Sequence, residues 1–306
     1  MSKNLITLKK RIRFLSNFQK ITNSISLISV IRFQKSYQRI NKIILNAFYF
    51  LELLNDLFKK YPNIFKEKIL FEEKLSKQQT IKKTLVLIIA SDRGLAGSFD
   101  QLIFKKSDEL LKNFNRKEDL ILIGIGKKTK YYLEKLKIEF YLFSNFENFL
   151  PTTLASEILS YINFLISSQK IKEIYIIRPN LTSTGFLVEC LKIYPFNLKV
   201  IKNLINKILP QMKQWKDLKA SDTQFTSDYI FEPNVKEVIK VLFKNIFYLL
   251  IYVFILEAQA SLEFTRTITM KRANENAKKI KNKEILNYNK LRQQKITQEL
   301  LDIKRW

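Results

Sequence analysis

Two long stretches without a proline or a glycine bracket this chain, one from Ser2 to about Lys60 and the other from Val235 to about Asp302. Proline and glycine are the residues that most disfavour a helix interior, so their absence over such lengths permits a single helix at each end. The second stretch, wound as one helix at 1.5 Å per residue, extends roughly 100 Å. No compact domain of 306 residues is that long. Each stretch therefore needs a companion of similar length, and each is the only such companion the other has. The expectation is an antiparallel coiled coil of the two ends with the remainder as a globular part at one end of the rod.

The apolar pattern gives the pairing a register. Tyr37, Ile40, Ile44, Ala47, Leu51, Leu54 and Phe58 recur at alternating steps of three and four, the seam of a helix lying against another helix. Leu8, Ile12, Leu15, Ile21, Ile25 and Ile28 extend a looser version towards the start. The segment Tyr37 to Phe58 is expected to lie antiparallel against Val238 to Leu256. The run "IFYLLIYVFIL", Ile246 to Leu256, is uninterrupted over 11 residues. A membrane span needs roughly 20, so the run is expected to be a buried part of the C-terminal helix. Asn234, after Pro233, is placed to cap that helix.

Between the ends the pattern alternates. "TLVLIIA", "DLILIGIG" and "EIYIIRPN" read as strands; "FDQLIFKKSDELLKNF", "KKTKYYLEKL" and "TTLASEILSYINFLISSQ" read as helices. This alternation implies a small parallel α/β sheet. "TSTGFLVECLKIYPF" adds an edge hairpin or an irregular strand, and residues 197–228 read as strand and loop. The expected domains are a helix over 1–60, an α/β domain over 80–230 and a helix over 234–302.

Charge and chemistry narrow the function. The formal net charge is +26, which calls for acidic company such as nucleic acid, an anionic membrane or acidic protein surfaces. Ten Lys or Arg precede the first acid, Glu52, and nine more fall between Lys271 and Lys295 against Glu275 and Glu284. The charge thus follows the two helical ends towards the termini. The chain has no histidine and one cysteine, Cys190, which excludes a Ser-His-Asp triad, a histidine-ligated zinc, a cysteine metal cluster and an internal disulfide. No metal and no cofactor is expected. "SDRGLAG" after the first strand has Gly94 and Gly97 but lacks the Lys-Ser/Thr of a phosphate-binding loop. "GIGKKT" from Gly124 has two of the three glycines of a dinucleotide fingerprint. Neither half-motif carries nucleotide binding. A turn at the strand's end, with Gly94 supplying a positive φ, is the expected role of Asp92, Arg93 and Gly94.

The same residues resemble a known family. "SDRGLAG" resembles the signature of the gamma subunit of F-type ATP synthases, with Ala96 where the family usually has cysteine. "RIRFLSNFQKITNSI" (Arg11 to Ile25) is similar to its N-terminal helix. "YIFEP" (Tyr229 to Pro233), "LEAQAS", "TRTITMKRANENA" and "YNKLRQQKITQELLDI" follow in its order. The resemblance begins near residue 5, which leaves no room for a transit peptide. It implies an α/β protein made of a long antiparallel N-/C-terminal helical coiled coil plus a small Rossmann-like domain. It implies a non-catalytic shaft turning inside a ring of alpha and beta subunits, coupling rotation to ATP synthesis or hydrolysis at the beta-subunit sites. The globular foot would rest on an epsilon-type subunit and the membrane rotor ring. Nothing in it requires a bound nucleotide or nucleic acid. The chain would be a peripheral membrane protein on the cytoplasmic face of a bacterial membrane, or on the matrix or stromal face of an organelle membrane.

Carried over residue by residue, Arg266, Arg292, Gln293, Thr297, Gln298 and Glu299 match positions that touch beta subunits, and Asp92, Arg93 and Gly94 match the foot loop. The chain departs from the family at "SLISVIRF" (Ser26 to Phe33), which is bulkier than usual, and at its charged end "KRW". Those departures leave room for a specialised motor that is not coupled to a proton channel. A nucleic-acid-binding coiled coil would explain the charge, and a dinucleotide enzyme the alternating middle. Neither explains the ordered motifs.

Overall fold

The computed structural model describes residues 2–61, 83–114, 116–144, 146–148, 150–168, 171–182, 185–194 and 230–303. The expected strand and loop at 197–228 lie outside these residues. The two terminal stretches are single helices, α1 (Ser2–Lys60) and a far longer one at the C-terminal end, Val235–Ile303. Between them run β1 (Lys83–Ile89), α2 (Phe99–Leu111), β2 (Leu120–Ile125), α3 (Lys127–Leu136), β3 (Phe140–Phe143), α4 (Pro151–Ser167), β4 (Ile171–Thr182) and β5 (Gly185–Tyr194). The C-terminal helix is α5. Asn234 caps it: its Oδ1 accepts the Glu237 amide at 2.9 Å.

The chain forms two compact units. One holds residues 1–32, 95–97 and 263–306; the other holds residues 33–94 and 98–262.

The second unit is an α/β domain with the adjoining parts of both long helices. Its sheet has the order β3-β2-β1-β4-β5. The first four strands are parallel, and β5 returns antiparallel along β4 as the expected hairpin. The short edge strand β3 is an addition to the sequence reading; its four residues are mostly part-exposed and too few to show a period. Central strands are covered on both faces, which is why β1 and β2 are near-continuous apolar runs. Helix α2 lies over β1, β4 and β5, and α3 lies over β2 and β3.

In this unit the helix seam falls where the spacing puts it. Ile40, Ile44, Ala47 and Leu54 are buried, and Leu57 joins them. Tyr37 is half-buried, while the side chains of Leu51 and Phe58 lie outside the described residues. The apolar run of α5 is buried as expected. Val253 through Ala258 are six consecutive buried residues, so the helix is covered all round. Tyr61, just past the end of α1, meets Phe231, just before α5, in an edge-on contact at 5.7 Å. That contact sets the two helices antiparallel.

Apart from residues 95–97, the first unit is the remainder of the two helices. Arg11 pairs with Glu284 at 3.2 Å, Lys281 reaches Ser16 and Gln19, and Arg32 pairs with Glu263 at 3.5 Å. As the number rises along α1 it falls along α5, which is antiparallel pairing again.

Here the seam differs from the expected one. Leu15 is buried, but Ile21 and Ile28 are 57% and 52% exposed. The buried positions are Thr22, Ser26 and Ser29. A step of seven joins Leu15 to Thr22, and steps of four and three follow, so the heptad is real, but small polar residues occupy it. Thr22 satisfies its hydroxyl on the carbonyls of Phe18 and Gln19 of its own helix, so burying it costs little.

Candidate functional site: the switch-point loop and the paired helices

In a parallel sheet of this kind a ligand binds beyond the carboxyl ends of the strands, where the strand order reverses. The chain moves outward from β1 to β2 and β3, then returns to β4 on the other side, so the reversal lies at β1. The loop after β1 begins the Ser91–Gly97 motif. It therefore stands where a nucleotide enzyme would hold phosphate.

The protein fills this position with its own carboxylate. Asp92 Oδ1 accepts the Lys127 amide at 2.8 Å, taking the first N–H of α3, and Oδ2 accepts the Glu147 amide at 2.7 Å. Glu147 replies through Oε1, which accepts the amides of Asp92 and Arg93 at 3.0 and 2.9 Å. Arg93 reaches Asn148 Oδ1 at 2.9 Å. Beneath them Asp100 accepts the Ser91 amide at 2.9 Å, the Ser91 hydroxyl at 2.8 Å and Lys128 Nζ at 2.9 Å. A helix N-terminus attracts an anion, and Asp92 is that anion.

The glycines confirm a packing role. A Cβ on Gly124 would stand 2.5 Å from Thr129 Oγ1 and 2.7 Å from Leu133 Cδ1, both on α3. Gly126 has φ +96°, and its Cβ would lie 2.1 Å from the Ala90 carbonyl oxygen. The half-fingerprint "GIG" thus lets α3 sit close on the sheet. The expectation for Gly94 is corrected. Its φ is not in the left-handed region, and a Cβ there meets nothing within 4 Å. Positive φ falls instead on Leu95 (70°) and Gly97 (56°). Gly97 is the glycine that sterics demand, because a Cβ there would stand 2.9 Å from Thr269 Oγ1 on α5.

The remaining site residues lie on α5. Arg266 is buried, 6% exposed, and donates to Glu263 Oε1 at 2.7 Å. The same Glu263 oxygen receives Arg32. Arg266 is thus part of the seam between the helices. Arg292, Gln293, Thr297, Gln298 and Glu299 are all exposed. Thr297 donates to the Gln293 carbonyl at 3.0 Å, and Glu299 pairs with Lys295 at 3.3 Å. The structure gathers these five on one exposed stretch and separates them from Arg266.

Sequence reasoning missed Glu147 and Asn148, whose partners lie more than fifty residues away, and the buried pair Arg178 and Glu257. A signal for the latter existed: Arg178 interrupts an apolar strand, and Glu257 ends the long apolar run.

An α/β sheet with an internally capped ligand position, in a chain with two long antiparallel terminal helices, is a fold found in the central stalks of ATP synthases. The structural comparisons agree. The chain is similar to a chain in the mitochondrial ATP synthase OSCP/F1/c-ring structure from Euglena gracilis, with a TM-score of 0.61 at 13% identity over 99% of this chain and 93% of that one. A chain of the central stalk/c-ring of Tetrahymena thermophila mitochondrial ATP synthase gives 0.55 at 18% identity, over 83% and 99%. In sequence, residues 4–304 match the family described as ATP synthase. The ATP synthase gamma chain of Clostridium botulinum is 30% identical over 303 residues, covering 98% of this chain and 95% of that one. That of Mycoplasmopsis synoviae is 28% identical, covering 98% and 96%. The chain belongs to the ATP synthase gamma-chain family. Its part is the family's: a central rotor shaft of an F-type ATP synthase, with catalysis left to other subunits.

Proposed function

We propose that the paired helices of the first unit turn inside a ring of alpha and beta subunits, and that the α/β domain rests on an epsilon-type subunit and a membrane rotor ring. One observation carries this reading: the helix pair is apolar on the outside. Phe14, Ile21, Leu27, Ile28 and Ile31 on α1, and Leu286, Leu300, Leu301 and Ile303 on α5, are each more than half exposed, while Thr22, Ser26 and Ser29 of α1 are buried. An exposed apolar surface of this kind marks a protein interface. The basic residues share it, because Glu263 and Glu284 are buried against Arg266, Arg32 and Arg11, which withdraws acid from the surface. A nucleic-acid partner would suit the charge but would leave the apolar side chains in water.

Within that interface Arg292, Gln293, Thr297, Gln298 and Glu299 form a polar catch for a beta subunit. Arg292 makes no ion pair among the described residues, so its charge is available to a partner. Arg266 supports the catch from the seam, where it and Arg32 hold Glu263. No nucleotide binds the α/β domain, since Asp92 occupies the helix N-terminus. The reading makes the chain a peripheral membrane subunit, on the cytoplasmic face in a bacterium or on the matrix or stromal face in an organelle.

The test is reconstitution with alpha and beta subunits. A charge-assisted contact is worth about 1.5–3 kcal/mol, so Arg292→Ala slows turnover without unfolding the chain. The catch is disproved if the Arg292, Gln293, Thr297 and Glu299 quadruple alanine variant assembles and hydrolyses ATP at the unmodified rate. Micromolar ATP binding to the isolated chain by calorimetry would refute the nucleotide-free reading.

A further inference from the structure

The stretch of α5 from Ile246 to Leu262 contains one charged residue, Glu257. It is 4% exposed, and it meets Arg178 of β4, which is fully buried. The guanidinium also lies 3.5 Å from Glu189, its cross-strand partner on β5, and 4.6 Å from the centre of the Phe254 ring. Among the described residues Arg178 Nε has no hydrogen-bond partner. Burial pulls the Arg178 group down to about 10, with Glu189 opposing, so it stays charged at neutral pH.

Such a pair is a poor device for stability. Apolar residues of similar volume generally hold two buried surfaces together as well or better. The same stretch of α5 is otherwise mostly apolar, with Leu250, Val253, Phe254 and Ile255 buried. Apolar contact is non-directional, and a helix held by it alone turns or slides at small cost. A guanidinium nitrogen hydrogen-bonded to a carboxylate is directional, and here the two terminal nitrogens face Glu257 and Glu189. Rotate α5 on its axis, and Glu257 is left buried away from Arg178, which keeps Glu189 alone. A second polar tie lies two residues on, where Gln259 Nε2 donates to the Phe146 carbonyl at 3.0 Å. Phe146 precedes Glu147 and Asn148, which the switch-point loop grips.

We propose that Arg178 and Glu257 form a torsional key, a positioning contact that fixes the angle of α5 on the sheet and carries torque between them. The proposal rests on the rotor reading, since only a turning shaft loads this contact in torsion.

The test uses the assembled catalytic complex, with a bead on a cysteine placed at exposed Tyr131 and Cys190 replaced by serine. The double variant Arg178→Met, Glu257→Leu keeps the contact filled and removes its direction. It is expected to assemble and to turn at the unmodified rate under low drag. Its angular fluctuation during pauses should rise about twofold or more, with a comparable fall in rate under high drag. A merely structural pair would not give that load dependence. Fluctuation and high-drag rate equal to the unmodified chain would overturn the key. If the double variant does not assemble, Glu257→Gln is read by the same two measurements. Should the unmodified complex itself not rotate, the rotor reading fails, and the key falls with it.

Discussion

The sheet domain buries apolar residues almost alone, whereas the helix pair of the first unit mixes small polar residues into its seam. In the domain, Leu85 through Ile89 and Leu122 and Ile123 are at or near zero exposure. In the helix pair, Thr22, Ser26 and Ser29 are inside while Ile21, Leu27, Ile28 and Ile31 face outward. The first arrangement is complete in itself. The second leaves on its surface the apolar area that would drive association, so it is built to be enclosed. Continuous apolar strands thus mark a core closed within the chain, and apolar side chains outside the heptad seam mark a surface suited to a partner.

The largest effect tests how tightly the domain is closed. Gly126→Ala sets a Cβ against the Ala90 carbonyl at a positive φ and is expected to cost about 4 kcal/mol or more. Gly94→Ala, four residues into the neighbouring loop and free of contacts, is expected to stay within about 0.5 kcal/mol. Urea denaturation of the isolated chains measures both, and equal losses would refute the steric account.

The next pair sets region against region. Leu87→Ala in β1 removes a fully buried side chain and should cost about 2–5 kcal/mol in the isolated chain. Ile28→Ala should cost under about 0.5 kcal/mol in isolation yet weaken assembly with alpha and beta subunits. If Ile28→Ala destabilises the free chain as much as Leu87→Ala, the outward surface has been misread.

A third substitution probes the seam. Ser29 is 1% exposed, so Ser29→Leu overfills it and is expected to cost about 1–3 kcal/mol. An ordinary apolar seam would instead be stabilised by leucine, and thermal melting separates the two signs.

The smallest effect is electrostatic. The hydrogen bond from Lys192 holds the Glu173 carboxyl below its ordinary value, and the same bond raises Lys192. A lowered carboxyl contributes stability above its unfolded value and loses it as pH falls through the folded one. The raised lysine contributes below its unfolded value and loses it as pH climbs through the folded one. Lys192→Met should therefore cost at most about 0.5 kcal/mol at neutral pH, with the difference closing in acid and in strong alkali. A Glu173 titration that does not move upward in the variant would show the bond to be without consequence.

Much was legible in the sequence. The two uninterrupted helices, the three main strands and the buried run at Ile246 followed from periodicity and from missing proline and glycine, which act locally and leave a trace in order. The choice of Arg292 to Glu299 as a contact stretch rests on resemblance alone. Tertiary structure alone decided which glycine of "SDRGLAG" is indispensable, because the reason for Gly97 is Thr269, far along the chain. It alone placed Arg266 in the seam and moved the burial from Ile21 and Ile28 to Thr22 and Ser29. Hydropathy ranks isoleucine above serine, but the close approach of two helices selects by volume, and volume is read only against the opposite surface. The network of Asp92 with Lys127 and Glu147, and the pairing of Arg178 with Glu257, belong to the same class. A charge in a sequence names a need for a partner, and only the fold supplies which one.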